Sequence, residues 1–270
     1  MNDLMKGKRG LVMGVANDHS IAWGIACNLA AQGAELAFTY QGDAFGRRVQ
    51  PLAEKLGSRL VLPCDVEDIR TVDACFDEIE SKWGGMDFVV HAIGYSDKSE
   101  LKGRYADVTT RANFSRTMVI SAFSFTEVAQ RAAKLMDPGG AMLTLTYGGS
   151  VRVMPNYNVM GVAKAALEAM VRYLAADYGP NGIRVNAISA GPVRTLAGAG
   201  IGDARAMFSY QKKNAPLRRT VDIEEVGRSA LYLLSDLSSG VTGEIHYVDS
   251  GFNITSMPVL EELKRQDIEE

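Results

Sequence analysis

Long apolar runs are missing from this chain of 270 residues, and none reaches the length needed to span a membrane. The basic start Met1–Gly10 leads into an apolar stretch that breaks at Asn17–Asp18, too short for a signal peptide. Cysteine is scarce. Cys27, Cys64 and Cys75 are odd in number and form no CxxC pair, which argues against a disulfide scaffold and leaves reduced, buried thiols. His19, His91 and His246 lie far apart with no ligand spacing, so no metal site is expected. An excess of positive charge is also absent: 29 Lys and Arg face 32 Asp and Glu, a net charge of −3. Wholesale nucleic-acid binding, which needs a basic face, is disfavoured, while local basic clusters remain open. These absences point to a soluble cytoplasmic protein.

What is present is globular. Hydrophobic residues make up 47% and charged residues 23%, enough to bury a sizeable core. Apolar, strand-like runs occur at Gly10–Val15, Ala34–Tyr40, Arg59–Pro63, Asp87–Ala92, Ala141–Tyr147, Arg184–Ser189 and Glu244–Val248. Helical patterns lie between them at Ile21–Gln32, Ala44–Leu56, Ile69–Trp83, Arg111–Met136, Tyr157–Tyr178 and Ile223–Leu234. Continuous apolar runs fit strands covered on both faces. The alternation predicts an α/β fold of Rossmann type, a doubly wound parallel sheet with helices on both faces. Gly33, Gly57 and Gly179 stand where helix C-terminal glycines belong. No repeat or linker divides the chain, so residues 1–270 read as one domain.

In such a sheet a dinucleotide lies across the C-terminal strand ends. The first predicted strand reaches Gly14, and Gly24 follows early in the next helix; both permit a backbone to approach a pyrophosphate. The usual G-x-G-x-x-G is absent. Ser20 is placed to cap the helix at Ile21 or to donate to a phosphate. Gln41 follows the second strand, where the adenosine ribose is read, and is neither acidic nor basic. Asp65 and Val66 follow the third, with Asp65 placed to accept from adenine's amino group; Ile93 and Gly94 follow the fourth. Each alone is an ordinary loop residue. Together they mark four consecutive strand ends.

Tyr157 and Lys164 stand seven residues apart, just after a strand ending in Tyr147. On one helix that spacing is almost two turns, so both side chains leave the same face about 10 Å apart along the axis. A phenol and an ammonium so arranged are a proton donor and a cation that can tune it. The bland alternative is a snorkelling lysine beside a core tyrosine. One stretch breaks the α/β rhythm: Thr195–Gly202 alternates glycines with apolar residues ahead of Met207 and Phe208. It lies at a strand's C-terminal end and reads as a substrate lid at about 193–215.

Several motifs carry a resemblance. Trp83-Gly84-Gly85-Met86-Asp87, His91-Ala92-Ile93-Gly94, Ile183 through Pro192, and Gly243-Glu244-Ile245 through Val248-Asp249-Ser250-Gly251 resemble the short-chain dehydrogenase/reductase superfamily. Within it, Gly14 with Ser20-Ile21, Tyr40-Gln41, Tyr147, Tyr157 with Lys164, and Gly191-Pro192-Val193-Arg194-Thr195-Leu196-Ala197 resemble the bacterial NADH-dependent enoyl-[acyl-carrier-protein] reductases. The superfamily's Tyr-x-x-x-Lys is not met, because Met160 stands four before Lys164; the segment Tyr95–Glu100 departs from the enoyl-reductase pattern.

The resemblance implies reduction of the trans-2 double bond of enoyl thioesters on acyl carrier protein, with NADH as cofactor, in fatty-acid elongation. It implies catalytic roles for Tyr147, Tyr157 and Lys164, cofactor contacts extending to Val193, Arg194, Thr195, Leu196 and Ala197, and substrate contacts at Ser96, Met207 and Phe208. It also implies a homotetramer. The longer tyrosine–lysine spacing fits the chemistry. In enoyl reduction, charge develops on the thioester oxygen, further from the hydride than in a ketone, and three positions on a helix shift the tyrosine by about 4.5 Å. Two other readings are a 3-oxoacyl carbonyl reductase, opposed by Met160, and a non-catalytic NAD-binding redox regulator, opposed by retention of Tyr157 and Lys164. Arg205, Lys212 and Lys213, then Arg218 and Arg219, are the candidates for a basic rim that docks an acidic carrier protein; the alternative is that they are solvated helix charges. Arg47 and Arg48, beyond Gln41, are expected to face solvent.

Overall fold

The computed structural model describes residues 3–193 and 204–261. Its strands are β1 (Arg9–Met13), β2 (Glu35–Tyr40), β3 (Leu60–Pro63), β4 (Phe88–His91), β5 (Gly140–Thr146), β6 (Ile183–Ala190) and β7 (Ile245–Val248). They form one seven-stranded sheet in the order β3-β2-β1-β4-β5-β6-β7, and every neighbouring pair is parallel. The order reverses between β1 and β4. Chain segments leaving those two strands diverge there and open a crevice above the strand ends.

The helices are α1 (Ile21–Ala31), α2 (Gly42–Lys55), α3 (Ile69–Trp83), α4 (Tyr105–Val108), α5 (Arg111–Met118), α6 (Ser124–Leu135), α7 (Val159–Tyr178), α8 (Ala204–Asn214) and α9 (Ile223–Leu234). Strand alternation sorts the core onto two faces. Leu11 and Met13 of β1 pack with α3, α6 and α7, while Val12 packs with α1, α2 and α9. Both faces are therefore dry, which is why the strands read as continuous apolar runs rather than alternating ones. Burying side chains the size of Phe38, Phe88 and Phe125 contributes roughly 2–3 kcal/mol each. Among the described residues no helix is long and apolar enough to cross a membrane.

Four local expectations need correction. The helix expected over Arg111–Met136 is two α-helices joined by a π-helical turn, Val119–Phe123, so one extra residue shifts the face that α6 presents. Gly179 follows the last residue of α7 as its C-cap but makes no left-handed exit: it keeps a helical φ of −53° and leads into a short 3₁₀ turn, and Gly182, at φ 74°, makes that exit. Gly24 serves packing, since a β-carbon there would collide with the Ile223 carbonyl at the start of α9, so α1 and α9 can cross closely. The fourth correction concerns Tyr157. Helix α7 starts at Val159, and Asn156 and Asn158 have φ of 56° and 38°. A right-handed helix cannot run through such residues, so Tyr157 sits in a turn before α7 and its side chain is not set by helical periodicity.

Candidate active site

Tyr157 reaches the site through that turn. Its amide donates to the Met154 carbonyl (3.3 Å) and its carbonyl accepts from Met160 (3.0 Å), which carries the ring inward. The ring lies on Gly149, where any β-carbon would overlap it, so the glycine after Tyr147-Gly148 is a packing requirement. Tyr147 leaves the end of β5 and meets Tyr157 edge to face, with centroids 5.1 Å apart and planes at 74°. Tyr157 is 7% exposed, and burial, then Tyr147 and Glu168, push its phenol well above the ordinary tyrosine range. Burial raises Tyr147 as well. Both phenols therefore stay protonated at neutral pH and are able to donate hydrogen bonds.

Lys164, in the second turn of α7, is also 7% exposed. Its Nζ donates to the Leu145 carbonyl at 2.8 Å, one residue from the end of β5. Burial pulls its pKa down to about 8, against a raising contribution from Glu168. Met160 stands one turn earlier and receives a hydrogen bond on its sulfur from Ser121 (3.6 Å), so a thioether fills the place where the superfamily's tyrosine stands. Ser121 belongs to the π-helical turn and also bonds the amide and the carbonyl of Tyr95, both at 2.9 Å. Below it, His91 is fully buried between Thr144 (3.1 Å) and Ser124 (2.9 Å), and burial, then Lys164, hold its pKa down to about 3. It is a neutral core histidine.

The remaining sequence-predicted residues line the crevice unevenly. Gly14 has φ +95°, and a β-carbon there would collide with the Ala92 carbonyl just past the end of β4. Gly94 abuts Met160 and Lys164: a β-carbon at 94 would stand 3.7 Å from Met160 Cε and 3.8 Å from Lys164 Nζ. Ile93 is half-buried beside it. Ser20 occupies the N-cap position of α1 without capping it; its hydroxyl accepts from Ala16 and Asn17 amides (3.0 Å each), folding the β1–α1 loop, and Ile21 opens the helix. Gln41 and Asp65 are joined, Nε2 to Oδ2 at 3.0 Å, at the outer end, with Val66 buried next to them. Arg47 and Arg48 are exposed, the latter 5.8 Å over the Phe45 ring.

On the substrate side, Ser96 is turned inward, its hydroxyl accepting from Asn113 (3.1 Å) and Thr117 (2.9 Å). Met207 and Phe208 are half-buried on α8. Helix α8 is fastened over β6 and β7 by Gln211, which donates to the Asp249 carbonyl at 3.2 Å. Val193 is buried; Arg194, Thr195, Leu196 and Ala197, with the expected lid as far as residue 203, lie outside the described residues. Sequence reasoning missed Arg116, which stacks 4.6 Å over the Tyr95 ring and holds Glu67 through two bonds of 2.7 and 2.8 Å beside Asp65-Val66. It also missed Thr146 and Glu168, whose side chains are bonded at 2.7 Å beneath Tyr147.

A parallel sheet with a glycine-lined crevice at its switch point is the frame of a dinucleotide-dependent oxidoreductase. A family model described as "Enoyl-(Acyl carrier protein) reductase" matches residues 14–253. The chain is 78% identical over 267 residues to enoyl-[acyl-carrier-protein] reductase [NADH] 2 of Rhizobium meliloti (strain 1021), covering 99% of each. Its fold is similar to the Anaplasma phagocytophilum reductase in complex with NAD: TM-score 0.93, 55% identity, 96% of this chain and 99% of that one. It is likewise similar to the Bacillus cereus enoyl-acyl carrier protein reductase with NADP+ and indole naphthyridinone, with a TM-score of 0.92 and 52% identity over 94% of this chain and all of that one. The chain belongs to the enoyl-[acyl-carrier-protein] reductase family.

Proposed function

We propose that this crevice reduces the trans-2 double bond of enoyl thioesters carried on acyl carrier protein, with NADH as hydride source, in fatty-acid elongation. The observation that carries the reading is the edge-to-face contact of two protonated tyrosines, Tyr147 and Tyr157, at the strand end whose Leu145 carbonyl Lys164 bonds, with Met160 where a carbonyl reductase would need its acid. A dinucleotide fits the chain's own geometry: Gly14 keeps the β1 end clear, and Lys164 borders Gly94 at the strand end where a nicotinamide ribose would lie.

When bound, NADH would supply hydride to the substrate β-carbon; the negative charge this leaves on the thioester oxygen is discharged when a proton is taken up at the α-carbon, giving the saturated chain. Tyr157 donates a hydrogen bond to that oxygen, where charge appears only as the reaction proceeds. Tyr147 supports the ring from its edge and walls the acyl chain. Lys164, charged below its pKa of about 8, holds the ribose hydroxyls and adds positive field. Gly14, Ser20, Ile21, Asp65, Val66, Ile93 and Gly94 hold the rest of the cofactor, with further contacts from Val193, Arg194, Thr195, Leu196 and Ala197. Gln41 meets the adenosine ribose without a cation for a 2′-phosphate, which favours NADH. Met207 and Phe208 cover the acyl chain as part of a lid at about 193–215 on a single reductase domain, and Ser96 lies at the mouth. The enzyme works in the cytoplasm as a homotetramer, whose interfaces would cover exposed apolar residues such as Phe123 and Tyr173.

Incubation with NADH and either crotonyl or acetoacetyl thioester tests the reaction class. Oxidation of NADH by the crotonyl substrate alone is expected. Turnover of acetoacetyl thioester alone would reassign the enzyme as a carbonyl reductase, and NADH binding without turnover of either would make it a regulator. Tyr157→Phe should lower kcat about 100-fold while the NADH dissociation constant stays within about twofold, because the lost bond matters mainly in the transition state.

Carrier docking makes a separate prediction. Arg205, Lys212 and Lys213 are exposed on α8. Arg219 is engaged by Glu225 (2.6 and 2.8 Å) and Arg218 by the Lys213 carbonyl (2.8 Å), so α8 carries the docking charge. Charge reversal at Arg205 and Lys212 should raise KM for carrier-bound enoyl substrate several-fold, roughly in line with losing two interface charges, and more at low salt. Crotonyl thioester kinetics should not move. Equal losses on both substrates would place these residues in lid function or folding.

A further inference from the structure

Glu168 is a carboxylate in an apolar helix segment, 5% exposed, with no place in the proposed chemistry. It stands four residues after Lys164 on α7, one turn further along the same face. Both side chains are fastened to the last turn of β5: Lys164 Nζ on the Leu145 carbonyl at 2.8 Å, and Glu168 Oε1 on the Thr146 hydroxyl at 2.7 Å. Leu145 and Thr146 are adjacent, and Tyr147 is the next residue. The helix thus grips the strand end that delivers one tyrosine with a cation and an anion side by side.

We infer that Glu168 is a positioning residue of the reductase, the buried anion that keeps the Lys164 ammonium charged and seated against the end of β5. Desolvation favours a neutral amine at Lys164, and a nearby opposite charge opposes that. The other titratable groups packed around the pair do not supply it. Tyr147 and Tyr157 are buried, protonated phenols, His91 is held neutral, and Tyr247 of β7 is also raised above the ordinary range. Asp249, Glu244 and Arg152 bear on Tyr247. Glu168 is therefore the group that sets the alkaline limit of cofactor binding. The sign follows directly: an ammonium is charged below its pKa, so a lower pKa moves the loss of charge to lower pH.

This rests on the assignment of Lys164 to the nicotinamide ribose. The full-length enzyme is titrated from pH 6 to pH 10, with NADH affinity read by its fluorescence and kcat/KM by crotonyl thioester reduction. Glu168→Gln can still accept from Thr146 but carries no charge. Its alkaline limb should move down by about one pH unit in both readouts, with NADH affinity near wild type at pH 6. An unmoved limb in a folded Gln variant, with an equal loss at every pH, would overturn the inference and leave Glu168 a packing residue. If the Gln variant does not fold, Glu168→Asp decides. A limb within about half a unit of wild type supports the charge, and a displacement of a full unit despite a retained carboxylate overturns it. Failure of the underlying assignment reads differently: Lys164→Ala would then bind NADH normally, however the Glu168 variants behave.

Discussion

Lys164→Ala is expected to weaken NADH binding about 10- to 100-fold and to lower kcat/KM about 1000-fold, the largest catalytic loss of any single substitution in this chain. Two effects add. A hydrogen bond from a charged group is worth about 1.5–3 kcal/mol, which sets the binding loss, and removal of the positive field beside the developing thioester charge sets the remainder. The variant also leaves Glu168 as a buried anion without its neighbour and takes a donor from the Leu145 carbonyl. A melting temperature several degrees lower is expected, because stranding a buried charge costs about 3–5 kcal/mol unless it takes up a proton. Isothermal titration with NADH, alongside thermal unfolding, separates these effects. A folded variant with unchanged NADH affinity would remove Lys164 from the ribose site.

The fold was legible where the helix ends are chemically marked. Helices Ile69–Trp83 and Ile223–Leu234 have the boundaries their sequences indicate. Asp68 caps the first through the Arg70 amide, and Gly84, at φ 71°, ends it. Asp222 and Glu225 form a reciprocal capping box at the start of the second. No comparable capping bond marks the start of α7, where Asn158 occupies the N-cap position without a side-chain cap. The available sign was the pair Asn156 and Asn158 flanking Tyr157, since asparagine tolerates positive φ better than most residues. The π-helical turn at Val119–Phe123 leaves no sign at all: one inserted residue changes the helical phase without changing composition.

The candidate site was legible as a set of strand ends and only partly as contacts. Gly94 meets Lys164 and Tyr147 meets Tyr157, yet the spacing argument for Tyr157 and Lys164 fails. Tyr157 arrives by a turn over Gly149, not along a helical face. Glu168 was missed because an acid four residues after a lysine usually reads as an exposed helix pair. Its neighbours Leu167, Ala169 and Val171 carried the sign that this face is not exposed. Ser20 shows a different limit. The N-cap position was legible, but the choice between capping α1 and bonding back to Ala16 and Asn17 depends on loop geometry that composition does not encode.

Gly14→Ala is expected to destabilise the protein by about 2–4 kcal/mol and to reduce NADH affinity more than tenfold. Two costs are combined at this position. The backbone lies at φ +95°, a conformation that alanine adopts only with strain of about 1–2 kcal/mol, and the new methyl group would meet the Ala92 carbonyl. That oxygen is backbone, held one residue past β4 by the bond from the Ala92 amide to the Met13 carbonyl at 3.1 Å, so it cannot swing away as a side chain would. Relief requires β1 and β4 to separate at their C-terminal ends, which is where the crevice opens. Gly42→Ala separates the two costs. Gly42 has φ +67° at the start of α2, and a β-carbon there meets nothing within 4 Å. It should lose only the strain, about 1 kcal/mol, with NADH affinity unchanged within about twofold. Chemical denaturation of the two variants with and without NADH measures both. A Gly14 variant no less stable than the Gly42 variant, and binding NADH as wild type does, would show that the β1–β4 crevice accommodates a side chain and that Gly14 does not shape the cofactor site.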